Sequence, residues 1–120
     1  MAFDVKEAFK IVDEMDPERF AGLFAEDGLF RFGNWPTVKG RAEISAFVAE
    51  FFTSITALKH RVTDSWRVED VEIAAVEVTY TRHDASTVDL TAACIFRMQG
   101  DEIADYRIYM DVNPLFATTG

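Results

Sequence analysis

Few side chains in these 120 residues can carry a proton near neutral pH, and His60 is the first to weigh. It stands near the start of an alternating run, Lys59 to Val68. An imidazole there can accept or donate a proton, or it can be a hydrogen-bonded histidine at a sheet edge. Strict alternation puts His60, Val62, Asp64, Trp66 and Val68 on one side of the strand, and Lys59, Arg61, Thr63, Ser65 and Arg67 on the other. Asp64 then shares the histidine's side, but four residues of rise, about 13 Å, separate the two. Direct pairing would need a bulge. Glu77 sits between Val76 and Val78. Facing a pocket, desolvation would make it a proton carrier; with the register off by one, it faces out and Val76, Val78 and Tyr80 fill the core. Tyr80 and Arg82 follow at two-residue steps, a phenol and a guanidinium able to stabilise developing negative charge. Arg82 can equally solvate the strand end.

Asp111 ends the last strand. On that strand Tyr106, Ile108 and Met110 share one face and are candidates for pocket lining, while Arg107, Tyr109 and Asp111 share the other. Cys94, between Ala93 and Ile95, reads as a small apolar filler more than as a nucleophile. Trp35 lies in a loop bounded by Gly33 and Pro36, as a lid over a mouth or as a loop anchor. The candidate acid–base residues are therefore His60, Glu77 and Asp111.

Absent patterns narrow the field. Without His-Glu-x-x-His, paired Cys-x-x-Cys or a phosphate-cradling glycine loop, no metal and no nucleotide cofactor is called for. Without Gly-x-Ser-x-Gly, a serine hydrolase is not indicated. A net charge of −9, from 21 acids against 12 bases, argues against nucleic acid and anionic membrane as partners. One cysteine excludes an internal disulfide and agrees with a reducing cytoplasm. The start, Met-Ala-Phe-Asp-Val-Lys-Glu, lacks a cationic stretch leading into an apolar run, so no signal peptide is expected. No apolar run approaches the ~18 residues of a membrane span.

The elements that must position these residues come from pattern. Asp4 and Glu7 make a capped start, and Val5, Ala8, Phe9, Val12 and Met15 recur at helical spacing. Asp16-Pro17-Glu18 opens a second short helix that buries Phe20, Leu23 and Phe24 and ends at Asp27-Gly28. Leu29 to Phe32 is a short strand, followed by a loop through Lys39-Gly40. A third helix buries Ile44, Phe47, Val48, Phe51, Phe52 and Ile55. Four strands follow: Lys59–Val68, Val71–Arg82, Thr87–Met98 and Ile103–Val112, with turns at Glu69-Asp70, His83 to Ser86 and Gln99 to Asp101, and a stop at Asn113-Pro114. Helices first and a meander later predict an α+β domain, with three N-terminal helices on a curved, mostly antiparallel sheet and a greasy hollow between. Eleven phenylalanines would line or fill that hollow.

Phe24-Ala-Glu-Asp-Gly28, Trp35-Pro36 with Gly40-Arg41, and Arg107-Ile-Tyr-Met-Asp111 occur in an order and spacing that resembles the nuclear transport factor 2-like superfamily. Within it, the chain is similar to the SnoaL-like group, akin to polyketide cyclases, ketosteroid isomerase and limonene-epoxide hydrolase. The resemblance spans residues 1–120 as one domain. It implies a cone-shaped α+β barrel, a homodimer through the outer sheet face, and an apolar pocket for a hydrophobic small molecule. Pocket lining would come from Phe30, Phe32, Trp35, Tyr80, Arg82, Cys94, Tyr106, Ile108 and Met110. Residues matching the isomerase's base, phenol and neutral acid fall near Phe32, Ala8 and Cys94, and none keeps that chemistry. Of the epoxide hydrolase's positions, near Phe30, Phe32, Ile108, Ala75 and Glu77, only Glu77 keeps it. The cyclases' acid matches Ile108, three residues from Asp111. Two expectations stand: a cofactor-free isomerase, cyclase or hydrolase-type proton-transfer enzyme, or a non-catalytic binder or dimerisation module on the same frame.

Overall fold

The computed structural model describes residues 3–117. Met1 and Ala2, part of the stretch read for a signal peptide, lie outside the described residues. Helices α1 (Val5–Asp13), α2 (Pro17–Ala21) and α3 (Arg41–Phe52) pack on a curved, unclosed six-stranded sheet. Its strands are β1 (Phe24–Phe32), β2 (Val38–Lys39), β3 (Ala57–Val68), β4 (Val71–Thr81), β5 (Thr87–Gln99) and β6 (Glu102–Tyr109), and a short α4 (Asn113–Phe116) ends the fold. Their order across the sheet is β2-β1-β6-β5-β4-β3. The β3 to β6 meander is antiparallel and β1 joins β6 in parallel, so β3 is an edge strand.

The helix starts follow their caps. Asp4 accepts from the amides of Lys6 and Glu7, and Asp16 from those of Glu18 and Arg19, relieving donors that no helical carbonyl can reach. Helix α3 opens at Gly40, at φ +86, without a side-chain cap. Glu43 reaches back to the Lys39 amide instead. Its inner face buries Ile44, Val48, Phe51 and Phe52. Ile55 is buried too, but beyond the helix end.

Several expectations need correction. Helix α2 stops at Ala21, and Phe24, expected on its buried face, begins a nine-residue strand. Asp27-Gly28 is an irregularity within β1 rather than a helix stop, because the β1–β6 register slips between Phe24↔Ile103 and Leu29↔Asp105. Gly28 is needed there: a Cβ would sit 3.0 Å from the Ile103 carbonyl and from the Phe24 ring. Val38-Lys39, expected in a loop, pairs with Leu29 and Phe30 as β2. Asn113-Pro114 stops the sheet by starting a helical turn.

The largest correction concerns β3. Its register with β4 runs Val62↔Val76 and then Asp64↔Ala75, so Thr63 is an extra residue in the ladder. Beyond the bulge the alternation inverts. Asp64, Trp66 and Val68 therefore leave the face that His60 and Val62 occupy, and all three are exposed.

Candidate active site

A ring-lined cavity lies between the helices and the sheet. Its volume is about 30 Å³, and its wall is overwhelmingly apolar. Phe20, Phe30, Phe32, Phe51 and Phe52 supply much of that wall, with Val48 from α3 and Val76 and Val78 from β4. Of the predicted site residues the fold brings His60, Phe30, Phe32, Tyr80, Cys94, Tyr106, Ile108 and Met110 to this one lining.

His60 is the base-like group on the wall. Its neighbour in space is Asp13, the last residue of α1, which sequence reasoning passed over. Asp13 grips the histidine at two points: Oδ1 lies 2.6 Å from Nδ1, and Oδ2 accepts the His60 backbone N–H at 3.0 Å. That amide belongs to an edge strand and would otherwise lack a ladder partner. A carboxylate only accepts, so Nδ1 carries a proton, and in the neutral ring the lone pair is then on Nε2. Phe9 stacks on the imidazole at 4.6 Å and 17°, fixing the ring plane. The His60 side chain is 7% exposed and that of Asp13 22%, so the pair is half sheltered from water. One signal could have found Asp13: it lies four residues after Phe9, on the neighbouring turn of the same helix.

Three protic groups face the cavity from deeper in the sheet. Tyr106 donates to Cys94 Sγ at 3.5 Å, and Phe96 stacks on the Tyr106 ring at 4.0 Å. Burial pushes the Cys94 thiol up to about 11, partly offset by that hydrogen bond. Burial also drives both phenols well above the usual phenol range, with nearby Cys94 adding to each and Asp13 adding to Tyr80. Both hydroxyls therefore stay protonated and act as donors across the whole range in which enzymes work. Among the described residues, none accepts a hydrogen bond from the Tyr80 hydroxyl.

The remaining predicted residues stand elsewhere. Glu77 is on the outer sheet face, paired with Arg61 at 2.7 Å, because Val76, Val78 and Tyr80 take the inner positions of β4. Asp111 is exposed and accepts from the Asn113 amide, securing the turn into α4. Arg82 donates to the carbonyls of Leu115 and Pro114 and to Ser86 Oγ, pinning the chain end to β4. Trp35 is half-buried among Phe32, Phe47, Phe51 and Phe116, outside the cavity lining. A second carboxylate also escaped notice: Glu72, at the far end of the inner face of β4, is buried with Oε2 lacking a hydrogen bond, and Arg67 is 3.8 Å away.

Helices over an unclosed mixed sheet, enclosing an aromatic cavity, define the ketosteroid isomerase-like, nuclear transport factor 2-like fold. The family model for the SnoaL-like domain matches residues 5–106, and the chain belongs to that family. It is similar to a Catenulispora acidiphila protein of ketosteroid isomerase-like fold solved in complex with trimethylamine, at 19% identity and TM-score 0.86, covering 99% of this chain and 100% of that one. A candidate SnoaL-like polyketide cyclase from Jannaschia matches at 15% identity and TM-score 0.75, covering 93% and 88%. A candidate isomerase from Bacillus subtilis matches at 18% and 0.81, again covering 93% and 88%. At such identities these structures share the fold. No curated protein sequence matches the chain.

Proposed function

We propose that the chain is a cofactor-independent acid–base catalyst acting on a small, mainly apolar carbonyl compound. One observation carries the proposal: the Asp13–His60 pair at 2.6 Å, on the wall of an otherwise apolar cavity. His60 Nε2 removes a proton from the carbon beside the carbonyl. The C–H electron pair moves into the C–C bond, and the carbonyl π pair moves onto oxygen. The Tyr80 hydroxyl donates to that developing oxyanion, its high pKa keeping the proton in place. The imidazolium then returns its proton to carbon at the same or a conjugated position, which is isomerisation; or the carbanion attacks a second carbonyl, whose π pair moves onto its oxygen and takes the proton from the imidazolium, which is cyclisation. Asp13 holds the ring in the required tautomer and lies beside the charge that forms on it.

The kinship with polyketide cyclases and isomerases supports this class of chemistry by analogy. The same reading pairs two copies of the chain through the outer sheet face, where Trp66, Val68 and Tyr109 are exposed. It sets the protein in the cytoplasm, where Cys94 stays reduced. A non-catalytic binder is the second reading, favoured by how few polar atoms the cavity wall contains.

Deuterium exchange separates the two. Small ketones in D₂O, followed by NMR, should lose α-protons faster with the wild type than with His60→Gln or Asp13→Asn. Equal rates for all three proteins across the panel would leave the binder.

A further inference from the structure

The cavity behind His60 is too small for the molecules that such chemistry usually handles. About 30 Å³ accommodates two or three water-sized spheres, whereas sites for small organic ligands run to about 300 Å³ and more. A substrate must therefore extend past one wall. Surface depressions share a wall with the cavity at Val76, Ala92 and Ile108, at His60, and at Phe51. The first three are strand residues whose backbones are the sheet itself. His60 is fixed by Asp13 and Phe9. Phe51 is held by packing alone, and its ring stands edge-on to Tyr80 at 5.9 Å and 82°.

On the solvent side of Phe51 lies a groove of about 340 Å³, large enough for a bicyclic ring. Trp35, Phe47 and Phe116 line it, with Glu50 and Ser54 at its rim. The rings meet edge to face: Trp35 with Phe47 at 5.7 Å and 66°, and Trp35 with Phe116 at 6.3 Å and 61°. Phe116 is half exposed, at 49%, although the preceding Leu115 is buried at 3% and tied down by Arg82. The groove thus has a buried floor and one half-exposed ring at its edge.

We propose that this groove is the outer compartment of the same site and takes the planar aromatic part of the substrate, with Phe51 as the swinging wall between compartments. The inference rests on the catalytic reading for what happens behind Phe51, not for binding in the groove. It narrows the substrate class to aryl ketones and like molecules: a small carbonyl head that passes Phe51 towards His60 and Tyr80, and a flat apolar tail held by Trp35, Phe47 and Phe116. Ring-on-ring contact adds to what area burial alone gives, so flatness, not only greasiness, is selected.

The test uses 2-acetylnaphthalene as probe and Trp35 emission as readout, in a Trp66→Phe background that removes the exposed second tryptophan. Saturable quenching is expected, with cyclohexyl methyl ketone (the same head on a puckered tail) binding more weakly. Phe116→Ala and Phe47→Ala should each raise Kd about three- to tenfold. Phe116 is exposed enough that its loss leaves folding intact, which keeps the test decisive if Phe47→Ala misfolds. The two readouts are separate: failure of the catalytic reading shows in deuterium exchange, and failure of the groove shows in this quenching. Absence of saturable quenching up to the probe's solubility would overturn the groove, as would a Kd indifferent to Phe116 and Phe47. Binding that appears only after residues 117–120 are removed would assign the groove to the chain's own end, and overturns it as well.

Discussion

His60 and Arg61 are consecutive, and each meets a carboxylate at nearly one distance: Asp13 at 2.6 Å and Glu77 at 2.7 Å. Strand alternation sends them to opposite sides of the sheet, and everything else differs. The outer pair is 70% and 41% exposed, so water and salt screen it and two flexible side chains must be ordered to make it. The inner pair is 7% and 22% exposed and adds a backbone hydrogen bond, and one member is fixed by a stacked ring. Distance alone says nothing about what a carboxylate and its partner do. Shelter and rigidity decide whether it holds a proton donor in place or merely decorates a surface.

Four measurements would break or sharpen that contrast. The largest effect belongs to His60→Gln, which should slow α-proton exchange about 10²- to 10⁴-fold, the usual worth of a positioned general base. Glu77→Gln should leave that rate within a factor of two. Next comes alkaline stability. Buried Cys94 holds its proton up to about 11, against an ordinary value of 9.0, so between those values the folded chain binds more protons than the unfolded one. Stability is then level below pH 9 and falls as pH rises through the folded value, by about 3 kcal/mol over the window. The raised phenols of Tyr80 and Tyr106 carry the decline further upward. Urea midpoints at a series of pH values should show this, and Cys94→Ala should delay its onset to where unfolded phenols ionise. A steeper fall in the variant would contradict the assignment.

Third, Asp13→Ala leaves the His60 amide and Nδ1 without a partner and should lower stability by about 1–3 kcal/mol, read from urea unfolding at pH 7. The smallest effect is at the outer pair. Glu77→Ala should change stability by no more than about 1 kcal/mol, and the change should shrink in molar salt. A larger loss there than at Asp13 would invert the comparison.

The order of elements was legible because periodicity and caps are local properties. Asp4, Asp16 and the apolar face of α3 each declare their helix within a few residues. The candidate site was half legible. Tyr80, Cys94, Tyr106, Ile108 and Met110 follow from two-residue alternation on their strands, and His60 from its place at the head of β3. What escaped depends on contacts distant in sequence. Asp13 lies 47 residues from the histidine it orients, and no spacing rule reports a pair across that gap. For Glu77 alternation left two registers open, and pairing with β3 and β5 chose the outward one, with Val76, Val78 and Tyr80 facing in. Phe24 looked helical because helix and strand share apolar residues over short runs, and only pairing with Ile103 chose between them.

The extra residue at Thr63 divides β3 into two stretches with separate clients. Upstream, Leu58 and His60 line the enclosed cavity; downstream, the strand presents Trp66 and Val68 on the outer face. Were the same residues paired without the bulge, strict alternation would turn the distal stretch over, driving an indole towards the helices and taking Trp66 and Val68 off the outer face. The cavity wall and the outer face are thus separated within one strand by a single irregularity of its ladder, so a change in the distal stretch leaves the His60 end of β3 undisturbed.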